Sequence, residues 1–98
     1  MGKGDWKEVG EQQFRFTKAG DALEGKLIAR EATTLDVQLY HIIPKGEEQT
    51  VAVLGSIGLD ELMADIENGV EVRIELSEIV ATKSGNRFKN YRVFSKGS

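Results

Sequence analysis

Cysteine is missing from the 98 residues of this chain. That excludes a disulfide framework, a thiol nucleophile and a thiolate-bound metal, and it fits a reducing compartment. Histidine occurs once, at His41. Without a second histidine or a cysteine there is no metal-ligand spacing to recognise. No apolar run approaches the roughly 18 residues that span a bilayer, and "MGKGDWKEVG" lacks the apolar stretch of a signal peptide. The expectation is a cytoplasmic protein, in its own cell or a host's, with no membrane contact. "LGSIG" lacks the lysine and spacing of a phosphate-binding loop. Ser56, followed by Asp60 and Glu61, is placed to cap a helix and not to serve as a nucleophile. No enzymatic activity and no cofactor are expected.

What is present suits one globular domain. A net charge of -3 argues against indiscriminate coating of nucleic acid, which is the work of basic domains. Exposed charges are screened beyond about 8–10 Å, however, so their distribution matters more than their sum. Asp60 to Glu78 carries seven acids and one arginine. Ala81 to Phe94 carries no acid, but has Lys83, Arg87, Lys89 and Arg92 together with Phe88, Tyr91 and Phe94.

Residues 1–19 read as a polar arm anchored by Trp6, with Phe14–Phe16 as a short lead-in strand. Leu23–Ala32 reads as a first main strand, with Leu23, Leu27 and Ala29 on one parity and Glu24, Lys26 and Arg30 on the other. Gly25 inside it signals a bulge or bend. Leu35–Ile43 alternates as a second strand. Leu35, Val37, Leu39, His41 and Ile43 form its apolar side, which turns Tyr40 outward and makes His41 a core or rim residue. Pro44-Lys45-Gly46 is turn chemistry, and Thr50–Leu54 a third strand. Leu59, Leu62, Met63 and Ile66 then fall on one face of a helix of about ten residues, stopped at Asn68-Gly69. Its polar side, with Asp60, Asp65 and Glu67, reads as solvated. Val70, Val72, Ile74 and Leu76 alternate as a fourth strand with a parity slip near Ser77–Ile79. Lys83–Asn86 is a hairpin turn, and Arg87–Phe94 a fifth strand. The fold class is mainly β. Three strands, a helix and two strands are the order of a five-stranded OB-fold barrel with one α-helix between strands three and four. An irregular α+β sheet has the same order.

"GDALEGKLIARE", "YHI", "VLGS", "LDELMADIENGVEVRIEL" and "TKSGNRFKNYRVF" together resemble small phage-type OB-fold proteins, a group that includes single-stranded-DNA-binding proteins of replication and recombination. The resemblance covers roughly residues 20–95, leaving 1–19 as an arm and 96–98 as a tail. It departs from the pattern in its acidity and in "FSKGS", which is basic where many single-strand binders end in an acidic recruiting tail. The resemblance implies single-stranded DNA as partner, and self-association such as a homodimer.

An OB-fold binds oligonucleotides across strands two and three, between the loops joining strands one and two and strands four and five. Cations there would meet phosphates, and flat rings would stack bases. Lys83, Arg87, Lys89 and Arg92 supply the first, Phe88 and Tyr91 the second. Tyr40, Lys26 and Arg30 complete the candidate set. Each has a plainer reading. The basic residues guard an edge against aggregation. Tyr40 packs beneath the arm. Tyr91 divides between core and surface, and Phe94 is core by default. A protein-interaction or virion-assembly module on the same fold is the alternative, with the acidic stretch as its contact face.

Overall fold

The computed structural model describes residues 11–96. They form strands β1 (Gln12–Gln13), β2 (Ala22–Ala32), β3 (Gln38–Pro44) and β4 (Val51–Leu54), helix α1 (Ile57–Met63), and strands β5 (Glu71–Ala81) and β6 (Arg87–Lys96). The five strands expected from periodicity are β2 to β6, in the expected order around one helix. They do not close into a barrel. They make one open six-stranded sheet in the order β1-β4-β3-β2-β5-β6, so β1 and β6 are its two edges. Strand β2 is central, antiparallel to β3 on one side and β5 on the other.

The sixth strand comes from the segment expected to be an arm. Gln12 and Gln13 pair in parallel with Val51 and Ala52, two residues before the strand expected at Phe14–Phe16. Phe16 is fully packed, 3% exposed, edge-on to Phe14 and Tyr91. The Asp21 carboxylate accepts from the Thr17 and Lys18 amides, bonds that hold it below the usual carboxylate range. Residues 11–19 therefore belong to the folded unit. Trp6 lies outside the described residues.

The inner face of the sheet, α1 and Phe16 share one core, centred on Leu27, Tyr40, Ile42, Leu59, Met63, Ile74 and Leu76. Val72, Ile74 and Leu76 point inward as their alternation requires, and the expected slip in β5 is a register shift between Leu76 and Glu78. Two other parities come out reversed. Strand β3 buries Tyr40 and Ile42 and leaves His41 half-exposed on the outer face. The cause lies upstream: Leu35 and Val37, which suggested the opposite parity, sit in the turn before β3, Leu35 at 66% exposure and Asp36 at φ 62°. In β2 the register shifts between Leu27 and Ala29, because a bulge adds one residue and inverts the faces beyond it. Arg30 consequently stands beside Tyr40 on the core side.

The helix runs seven residues, from the Ser56 cap, whose hydroxyl accepts from the Leu59 amide at 3.2 Å, to Met63. It is shorter than its apolar spacing predicts, and Leu62 is exposed. Beyond Met63 the chain turns, and the Arg30 guanidinium takes the freed carbonyls of Met63 and Ile66. The Asn68-Gly69 stop serves instead as the left-handed turn into β5 (Gly69 φ 96°).

Gly25 marks a close approach of backbones and not the bulge itself. A methyl group there would fall on the Ile43 carbonyl oxygen and 2.8 Å from Ile42 Cγ2. Gly25→Ala is expected to cost about 1–3 kcal/mol, the range for overpacking a filled interior. Urea denaturation measures it, and an unchanged midpoint would mean that β3 can withdraw freely.

Candidate nucleic-acid interface

The outer face of β3 and β4 is where an OB-fold would hold its oligonucleotide. Neither strand carries a lysine or arginine. At its centre His41 lies between two carboxylates, with Nδ1 2.7 Å from Glu11 and Nε2 2.9 Å from Glu31. Among the described residues this face has no surplus cation for a phosphate. What it has is a clasp holding the residue before β1 against β3.

Hydrogen bonding to Glu11 raises the His41 pKa against the opposing effect of burial, and Glu31 adds to the rise. Glu11 itself is pushed up by burial, but hydrogen bonds from Thr50 and His41 and the His41 charge bring it below the usual range. The signs follow by linkage. The histidine contribution to stability is fully present below about pH 6.5, its unfolded value, and is lost as pH rises through the higher folded value. The Glu11 contribution is present above about pH 4.3 and fades as pH falls through its lowered folded value. Between pH 6 and pH 8.5 the melting temperature is expected to fall, and His41→Gln to flatten that dependence. Equal pH profiles for both proteins would exclude the clasp.

The candidate binding residues separate into two groups. Three are committed to the fold. Tyr40 is 1% exposed. Its hydroxyl donates to Asp60 at 2.6 Å, and burial with that carboxylate pushes the phenol pKa far up. It offers no ring to a base, which corrects its outward placement. Asp60 also accepts from the Gln38 amide at 3.1 Å, so this expected surface charge fastens α1 to β3. Arg30 is held by the helix carbonyls, 5.7 Å from the Tyr40 ring centre. Lys89 donates to the Phe16 carbonyl at 2.7 Å, fixing the N-terminal segment to β6.

Tyr91 packs edge-on against Phe16, half-buried, and the others remain at the surface. Phe88, Asn90, Arg92 and Phe94 alternate onto one side of β6, and all four are exposed. Phe88 and Phe94 expose more than half their surface, 57% and 51%. They stand about 20 Å apart, at about 3.3 Å per residue, with Arg92 between them. Tyr91 and Val93, on the opposite parity, are half-buried against the core. Phe94 as a core residue is thereby corrected. Its shared parity with Phe88 and Arg92 was the signal that places it outside.

The hairpin is long because β5 and β6 pair from Glu71–Lys96 to Ala81–Arg87. Beyond the Ser77 bulge its residues are exposed except Ile79 and Thr82, so it projects as a two-stranded ribbon. Its turn forms as expected, with Gly85 at φ 87° and the Thr82 amide donating to Asn86. Lys83 and Arg87 crown it, and Lys26 is exposed on β2. Among the described residues no ion pair engages Lys26, Lys83, Arg87 or Arg92. The arrangement can offer two flat rings and free cations along one strand. Comparison of the chain with protein-family models, curated proteins and solved structures found no match.

Proposed function

We propose that the protein binds single-stranded DNA with little sequence preference, along the outer side of β6 and the tip of the β5–β6 hairpin. One observation carries this reading: Phe88, Arg92 and Phe94 share one solvent-facing side of a strand, beside cations that no ion pair engages among the described residues. Stacking on an exposed ring contributes about 1–3 kcal/mol per base and is indifferent to sequence, since every base has a flat face. The strand order supports an OB-type unit. The first and central strand of the five, β2, has the second and third on one side and the fourth and fifth on the other, as in an OB barrel left unclosed. The resemblance to phage-type proteins supports a role in replication or recombination, with self-association.

The test is fluorescence anisotropy of labelled oligo-dT at several salt concentrations, with duplex DNA as competitor. Three or four phosphates neutralised by Lys26, Lys83, Arg87 and Arg92 give a log–log salt slope of roughly -2 to -3, at about -0.7 each. A flat response removes the electrostatic basis of the reading. The competing reading is a protein-interaction or virion-assembly module. It draws on Val80 and Phe88, exposed opposite each other on the ribbon, and on the outer edge of β6, which no strand pairs among the described residues. No binding at low salt favours it, while binding that duplex DNA displaces as readily as single strands removes the single-strand selectivity of the first reading.

A further inference from the structure

The stripe on β6 does not end at Phe94. It opens into a groove of about 440 Å³ on the outer face of the sheet, beside the β3–β4 turn. Two cross-strand rows make the floor: Lys26–Glu71–Lys96 and Glu24–Arg73–Phe94. Ile43, Pro44 and the turn through Lys45 to Glu47 form one wall, and Phe94 to Lys96 the other.

Most of the charge on the floor is already matched. Arg73 lies 2.8 Å from Glu24 and 3.3 Å from Glu75. Glu71, although opposite Lys26 in register, leans toward Lys96 at 3.8 Å. Lys26 and Lys45 have no carboxylate partner among the described residues. Glu47, farther along the turn, is the opposing charge on that wall. The groove thus combines two cations that no carboxylate pairs among the described residues with an apolar pair of walls, Phe94 on one side and Ile43 with Pro44 on the other. Phosphate needs the first and a base the second.

Resting on the single-strand reading, we propose that this groove is the end of the bound strand's path. A terminal base sits against Phe94 and Pro44, and its phosphates lie on Lys26 and Lys45. The nucleic acid then crosses the sheet from β6 over β5 to β2 at the β3–β4 turn, away from the outer face of β3 and β4. Strand β6 is about 30 Å long at about 3.3 Å per residue, and the two strand spacings from β6 to β2 add about 10 Å. A site of roughly 4–6 nucleotides follows, at the short end of the range for one OB unit.

The test follows the backbone amides of the whole, isotopically labelled chain by NMR during titration with an oligo-dT of about 8 nucleotides. A parallel oligo-U titration separates DNA from RNA as the source of the same chemistry. Expected are shifts at Lys26, Lys45 and Gly46 that saturate together with those at Arg92 and Phe94. Lys26→Gln with Lys45→Glu, both at exposed positions, is expected to weaken binding at least about tenfold; glutamine is used at position 26 because a carboxylate there would face Glu71 across the ladder. It should also shrink the salt slope by about 1.4, two phosphates at about 0.7 each. Shifts confined to β6 and the hairpin, with affinity in the double variant within about twofold, overturn the groove and leave the single-strand reading standing. No shift anywhere overturns both.

Discussion

Lys83→Glu and Arg87→Glu combined with Arg92→Gln are expected to lower affinity for oligo-dT at least about 100-fold without unfolding the protein. All three side chains are exposed and outside the core. A 100-fold loss is about 2.7 kcal/mol, or less than 1 kcal/mol for each position. That is modest for losing three phosphate contacts and setting two carboxylates against the backbone. Glutamine is chosen at position 92 because Arg92 faces Glu75 across the ladder. A carboxylate there would oppose another directly, and like charges so placed destabilise a sheet. Surface changes of this kind usually move stability by no more than about 0.5 kcal/mol, so the melting temperature should hardly change. Undiminished affinity would place the nucleic acid elsewhere. Absent DNA binding in the parent protein, with partner binding retained in the variant, would favour the protein-interaction module.

The second large effect is on stability. Tyr40→Ala is expected to cost about 3–5 kcal/mol, the range for truncating a large buried aromatic. It removes a fully packed ring and also the hydroxyl that donates to Asp60. Tyr40→Phe keeps the ring and loses only that bond. Hydrogen bonds to charged groups contribute about 1.5–3 kcal/mol, and the Gln38 amide still serves Asp60, so the lower end is expected. Affinity of Tyr40→Phe for oligo-dT should match the parent. Denaturant unfolding reads the first quantity and anisotropy the second. A Tyr40→Ala protein of normal stability but weakened binding would mean that the ring faces solvent and stacks on bases.

Tyr40 also shows where a one-dimensional reading reaches its limit. Its parity follows in sequence from the apolar residues at 35, 37, 39 and 43, and the first two are not on the strand. Asp60 fell on the polar side of a helix pattern, and nothing local to it reveals that the β3 backbone and Tyr40 lie within hydrogen-bond reach. Lys89 and Arg30 looked like free cations because their acceptors, the carbonyls of Phe16, Met63 and Ile66, are 73, 33 and 36 residues away.

By itself the sequence determined the mainly β class, the order of the five main strands and helix, the Ser56 cap, the turns at Pro44–Gly46 and Lys83–Asn86, and the slip in β5. Each depends on residues a few positions apart, whose alternation, capping and turn preferences act locally. Only the tertiary structure decided that the sheet stays open, that Gln12 and Gln13 join it and Phe16 joins the core, and which face Arg30 and Tyr40 take. A single added residue at a bulge inverts every side chain beyond it. Which strand lies beside another depends on pairing between distant segments, and no local pattern carries that information.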